Sequence, residues 1–185
     1  MFRNHFNSLL RSRFAREEHG NASIEAMIMI PAMFLCLLTF LTLIDYTRMH
    51  SMHQKAAYTI SDMISRETLA LDSDYLSGAN ALLNTLTRDP QTSTVRVNIV
   101  RYDADNDIIK LDWSNTSGYA DPLSNHDVRN WTDRLPNMVD DERMIIVETA
   151  ARYAPPFDIG LGNRQIENFI FTRPRYAPQV LWDDT

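Results

Sequence analysis

Thiols are nearly absent. Cys36 is the only cysteine in the 185 residues, so no intrachain disulfide can staple the fold, and packing alone must hold it. Basic side chains are outnumbered, 18 Lys and Arg against 24 Asp and Glu, for a formal net charge of -6 and a pI near 5.3. Nucleic-acid-binding domains usually carry a basic stripe, and this balance argues against that class of partner. Catalytic signatures are missing too. The chain has no Gly-x-Ser-x-Gly elbow, phosphate loop or dinucleotide fingerprint. Its histidines, His5, His19, His50, His53 and His126, do not form a metal set. His50 and His53 have i, i+3 spacing, but no nearby Cys or acidic ligand completes a site, so both are expected as exposed helix residues. The carboxylates cannot be paired into an acid and a base from sequence. The expectation is a non-enzyme with no metal and no cofactor.

What the chain does have is one long apolar run, GNASIEAMIMIPAMFLCLLTFLTLID, from Gly20 to Asp45. Between Ala26 and Ile44 no side chain is charged. As a helix rising 1.5 Å per residue, that interval is roughly 28 Å long, close to the ~30 Å hydrocarbon core of a bilayer. Cleavable secretory signals have shorter apolar runs and a small-residue cleavage site, which the Asp45-Tyr46-Thr47-Arg48 exit does not match. A retained membrane helix is therefore expected, with Cys36 as one of its apolar residues. The basic cluster Arg3, Arg11, Arg13 and Arg16 precedes it. By the positive-inside rule the leader stays cytoplasmic and everything after Asp45 is translocated.

Glu25 stands at the mouth of the run, where an ionised carboxylate entering hydrocarbon costs several kcal/mol, of the order of 2–4, unless something solvates or pairs it. It can simply mark the membrane boundary. It also completes a Gly-x-x-x-x-Glu spacing from Gly20, with Pro31 six residues further on. The segment RSRFAREEHGNASIEAMIMIPAMFLCLLTF, from Arg11, resembles the N-terminal signature of TadE/TadG-like proteins, the pseudopilins of tight-adherence (Flp/Tad) type IV pili. That signature has a basic leader, a glycine, small residues, a glutamate, apolar residues and a proline. Ala26 departs from the aromatic residue common there, and Asn21 is a polar first residue.

The resemblance implies cleavage between Gly20 and Asn21 by a prepilin peptidase, leaving Glu25 as the fifth mature residue. It also implies subunit association through Glu25 and Pro31. Implied partners are the peptidase, other pilins or pseudopilins, the inner-membrane assembly machinery and membrane lipid. The implied location is the bacterial inner membrane, crossed once, with a cytoplasmic N-terminus, a periplasmic C-terminal domain and a route into the pilus. A permanently anchored periplasmic binding or scaffold module, never processed, is the alternative. A membrane-tethered hydrolase would need a site the sequence does not disclose.

The expected organisation is a basic leader over 1–20, a membrane helix over 21–45, an amphipathic extension of that helix over 46–72 and a head domain over 73–185. In the leader, Phe2, Phe6, Leu9, Leu10 and Phe14 fall at roughly helical spacing. In the extension, Tyr46, Met49, His53, Ala56, Ala57, Ile60, Met63 and Ile64 recur at three- and four-residue intervals. A second helix is predicted over Asp74–Arg88, capped by Ser73 or Asp74, with an apolar face of Tyr75, Leu76, Ala79, Leu82, Leu83 and Leu86, and stopped by Asp89-Pro90.

Alternating Val95, Val97 and Ile99, then Ile108 to Trp113, predict a β-hairpin. Its tip, Asp103 to Asp107, opens like a calcium loop. Ile108 and Ser114 stand where such a loop needs glycine and glutamate, so an acidic solvated turn is expected. Residues Asn115 to Asp127 read as a loop, Val128 to Val139 as holding a short helix with Trp131, Met144 to Thr149, extended through Ala151 and Tyr153 to Pro155-Pro156, as a central strand and Ile166 to Thr172 as a last strand. Trp113, Trp131 and Trp182 are expected as partly buried core or interface, with a groove as the other reading.

The Tyr153-Ala154-Pro155 element and the closing Arg173-Pro174-Arg175-Tyr176 resemble the C-terminal half of TadE-like proteins. Arg173 and Arg175 are read as a solvated strand edge, or as contacts to a neighbouring subunit. The fold class expected is α+β and pilin-like, with a long membrane and stalk helix packed on a small antiparallel-sheet head.

Overall fold

The computed structural model describes residues 19–88, 93–157, 160 and 162–183, with side chains from Ser23 onward. The leader helix and the Asp89-Pro90 stop lie outside the described residues. The elements are α1 (His19–Ser65), α2 (Ser73–Thr87), β1 (Ser93–Asp103), β2 (Ile108–Ser117), the single turn α3 (Asn125–Val128), a 3-10 turn (Trp131–Asp133), β3 (Arg143–Tyr153) and β4 (Arg164–Thr172). One long N-terminal helix and a small antiparallel sheet make this an α+β layout.

Helix α1 runs for 47 residues with Pro31 inside it. The ring removes only the amide that would donate to the Met27 carbonyl, and helix resumes on both sides. Its end at Ser65 hands over to a turn, and α2 begins with Asp72 as its cap. Asp72 is extended (φ -128°, ψ 179°), and its carboxylate accepts from the Tyr75 amide at 2.7 Å. The cap is thus one residue before Ser73 and two before Asp74, the expected caps, both of which lie inside the helix. Leu76, Ala79, Leu83 and Thr87 are the buried positions of α2. Leu86, placed on that face by its spacing, is instead 42% exposed. Thr87 takes the buried place because its hydroxyl donates to the Leu83 carbonyl at 2.7 Å, which leaves no polar atom to desolvate.

The sheet order is β2-β1-β3-β4, every pair antiparallel. The expected β1–β2 hairpin is present, with Asp103 opposite Ile108 and a bulge at Ile99/Val100. Strand β2 continues to Ser117, past the predicted start of the loop. Asn115, Thr116 and Ser117 pair with Val97, Arg96 and Val95, so pairing with a buried strand overrides the weak strand preference of Asn115 and Ser117. The predicted short helix around Trp131 amounts to the three-residue 3-10 turn.

Period-two alternation gives the sheet two different faces. Val95, Val97, Ile99, Ile145 and Val147 form one core with Ala56, Ile60 and Ile64 of α1 and Leu76, Ala79 and Leu83 of α2. Burying an Ile or Leu side chain of this kind contributes about 1.5–3 kcal/mol. The opposite face carries a second core, Val100, Ile109, Met144 and Ile146 under Val128, Trp131 and Leu135. Two devices close the margins. The β2 edge is occupied where the Leu111 amide donates to Asn125 Oδ1 (2.8 Å), which blunts strand addition. The C-terminal tail straps the α1–α2 turn, with Leu71 N donating to Leu181 O and Asp183 N to Leu71 O, both at 2.8 Å.

Candidate functional site

Helix α1 has two regimes. From Ser23 to Leu41 every residue is exposed except the half-buried Leu38, and Met27, Met33, Phe34 and Phe40 each expose more than half their surface. From Thr42 onward a buried stripe appears: Thr42, His53, Ala56, Ala57, Ile60, Ser61, Ile64 and Ser65. The head therefore grips only the C-terminal part of the helix. Apolar patches beyond a few hundred Å² are rare on soluble monomers and mark membrane or protein contact surfaces. The bare part is long and apolar enough to cross a membrane. Its hydroxyls suit apolar surroundings, since Thr39 Oγ1 donates to Leu35 O (2.8 Å) and Thr42 Oγ1 to Leu38 O (2.9 Å).

The site residues named from sequence all lie on this helix. The backbone at Gly20 and Asn21 is helical, while their side chains lie outside the described residues. Glu25 and Pro31 are exposed. Six residues separate them, about 9 Å along the axis and roughly 120° around it, so the helix does not bring them to one face. Glu25 makes no ion pair among the described residues.

Where the bare helix meets the head, a polar latch closes the junction. The Tyr153 hydroxyl, from the last residue of β3, donates to Asp45 Oδ2 at 2.9 Å and lies 3.4 Å from the Thr42 carbonyl. Tyr46 meets the Tyr153 ring edge-on, centroids 5.3 Å apart. Burial, helped by the neighbouring Asp45 carboxylate, pushes the Tyr153 phenol up to about 12. In the sequence Asp45 is the charged exit of the apolar run and Tyr153 belongs to the Tyr153-Ala154-Pro155 tail element. Nothing in their spacing, 108 residues apart, joins them.

No family model, curated protein or solved structure matches the chain. The functional reading therefore draws on the N-terminal sequence resemblance together with this geometry.

Several residues sit differently from expectation. His53 is buried, 1% exposed, on the head-facing side of α1, because its position falls on the stripe with Ala56, Ala57 and Ile60. Trp113 and Trp182 pair at 5.3 Å, and Trp113 Nε1 donates to Val180 O at 2.8 Å, which pins the tail. Trp131 belongs to the core on the opposite face. Arg173 and Arg175 are used within the chain, paired with Glu142 and Asp62 respectively. At the hairpin tip, hydrogen bonds from Lys110 and then Asn106 hold the Asp103 carboxyl down at about 2. Residues 104–107 are exposed.

A concavity of about 470 Å³ lies on the sheet face away from α1, at residues the sequence does not single out. Arg96 Nε and Asn98 Nδ2 both donate to Glu148 Oε2, at 2.7 and 2.9 Å. Arg134 lies over the Phe169 ring at 4.2 Å. Arg96, Asn98 and Glu148 are neighbours across β1 and β3, so their signal lies in the register, which only the folded sheet reveals.

Proposed function

We propose that this chain is a minor pseudopilin of a Tad/Flp type IV pilus system. In this reading it is inserted in the bacterial inner membrane with residues 1–20 on the cytoplasmic side and the head in the periplasm. A prepilin peptidase cuts after Gly20. The apolar helix then stands beside other pilin-like helices and the assembly machinery, acting in pilus assembly or priming by helix–helix association.

The observation that supports this most is the division of α1. Its N-terminal part is bare and apolar, and its C-terminal part is built into a small α+β head. A helix needed only for the fold of the head would have no use for the bare part. Glu25 gives the reading a mechanism. A carboxylate at the membrane boundary is relieved of its burial cost when it pairs with the new amino terminus of a neighbour, and that pairing exists only on assembly. Glu25→Ala is expected to leave membrane insertion intact and to lower pilus assembly. Normal assembly by this variant would remove the mechanism.

The second reading, an anchored periplasmic module that is never processed, draws its support from the concavity around Arg96, Glu148 and Arg134. Binding, in that case, belongs to the head and the helix only tethers it.

A further inference from the structure

The junction between α1 and the head encloses a pocket of about 230 Å³ lined by Thr42, Leu43, Tyr46, Tyr153, Gly162 and Arg164, most of its wall apolar. Arg164 opens β4 directly opposite Tyr153 in the ladder, so the two side chains share the sheet face that meets α1. Among the described residues no carboxylate forms an ion pair with Arg164. Asp45, beside the pocket, accepts the Tyr153 hydroxyl and is not part of the pocket wall. A guanidinium with no ion pair among the described residues thus sits at the rim of an apolar hollow.

The height of this hollow along the helix is fixed. Tyr153 is bonded at Thr42 and Asp45, so the pocket lies at the last turn of the apolar run and the first turn beyond it. We propose that the pocket holds the phosphate end of a bilayer phospholipid, with Arg164 on the phosphate. This rests on the reading of residues 26–44 as membrane-spanning. With that run across the hydrocarbon, residues 42–46 stand at headgroup level, where tyrosines such as Tyr46 and Tyr153 are favoured because each has an apolar ring and a polar tip.

Leu43, 55% exposed, continues the wall onto the bare flank of the helix, along which an acyl chain can run. That continuity selects a lipid over a free anion, which would use Arg164 and none of the apolar wall. Arginine matches the charge, since its guanidinium binds phosphate by two parallel hydrogen bonds.

The test uses the full chain, purified in detergent and offered equimolar phosphatidylglycerol and phosphatidylcholine, with retained lipid read by native mass spectrometry. Wild type is expected to keep phosphatidylglycerol preferentially. Arg164→Gln should lower its retention at least several-fold and Arg164→Lys should restore part of it. Arg129→Gln, beside the β2 edge of the sheet, should change nothing. Equal retention by wild type and Arg164→Gln overturns the proposal, as does displacement of the lipid by inorganic phosphate. Alkaline carbonate extraction of membranes separates the two levels. A chain released by carbonate ends the membrane reading and this proposal with it; a chain that stays while Arg164→Gln retains lipid normally ends only the proposal.

Discussion

Tyr153 and Asp45 are joined by a 2.9 Å hydrogen bond that ties the end of the central strand β3 to the point where α1 leaves its apolar run. Through it the sheet and the bare helix keep one orientation, because the helix is gripped at its exit as well as along the stripe from His53 to Ile64. The phenol is raised from 10.0 to about 12 by burial and by Asp45, so the folded state holds the proton more tightly than the unfolded chain. The stabilisation is accordingly present below pH 10 and lost as the pH climbs from 10 to about 12. Urea unfolding of the full chain in detergent should show an alkaline loss of stability over that interval. Tyr153→Phe should reduce it. An identical alkaline profile in the variant would remove the latch from the account.

The two leucines near the end of α2 separate packing from pattern. Leu83 is fully buried between α1 and the sheet, whereas Leu86 is 42% exposed. Leu83→Ala is expected to cost about 2–5 kcal/mol through lost burial and the cavity left behind. Leu86→Ala should stay within about 0.5 kcal/mol, as is usual for surface changes. Chemical denaturation of both variants decides it, and equal losses would mean that the buried face of α2 is misassigned.

Local periodicity made much of this fold legible. The three- and four-residue recurrence of Ala56, Ile60 and Ile64 marked the gripped stripe, and the alternation of Val95, Val97 and Ile99 marked the strand that the sheet buries. What stayed hidden depends on partners distant in sequence. Asn115 to Ser117 are strand because β1 offers them a ladder, and His53 is buried because its place on the stripe outweighs the polarity of its ring. The Asp45–Tyr153 latch and the Arg96–Glu148 pair across strands needed the register, which no spacing within either segment encodes. Glu25 and Pro31 were legible as residues of interest, but the role proposed for them lies in contacts with other chains.

Gly118 follows β2 with φ +120°, a region that side-chain-bearing residues rarely adopt. A Cβ there would meet Thr94 Cβ at 2.7 Å and its Cα at 2.8 Å, and neither atom can swing away. Thr94 Oγ1 donates to Ser117 O at 3.0 Å, so the close approach fixes the loop that carries Tyr119 to the outer concavity. Gly118→Ala is expected to destabilise by about 1–3 kcal/mol, seen as a lower urea midpoint with an unchanged slope. An unshifted midpoint would show that the loop can relax freely.

The central claim, that this chain is a processed pseudopilin, is tested most directly by intact-mass and N-terminal analysis of the membrane-extracted protein, made with and without a co-expressed prepilin peptidase. The account predicts a mature chain beginning at Asn21 only when the peptidase is present. A chain that keeps residues 1–20 under both conditions would contradict it and leave the anchored periplasmic module in its place.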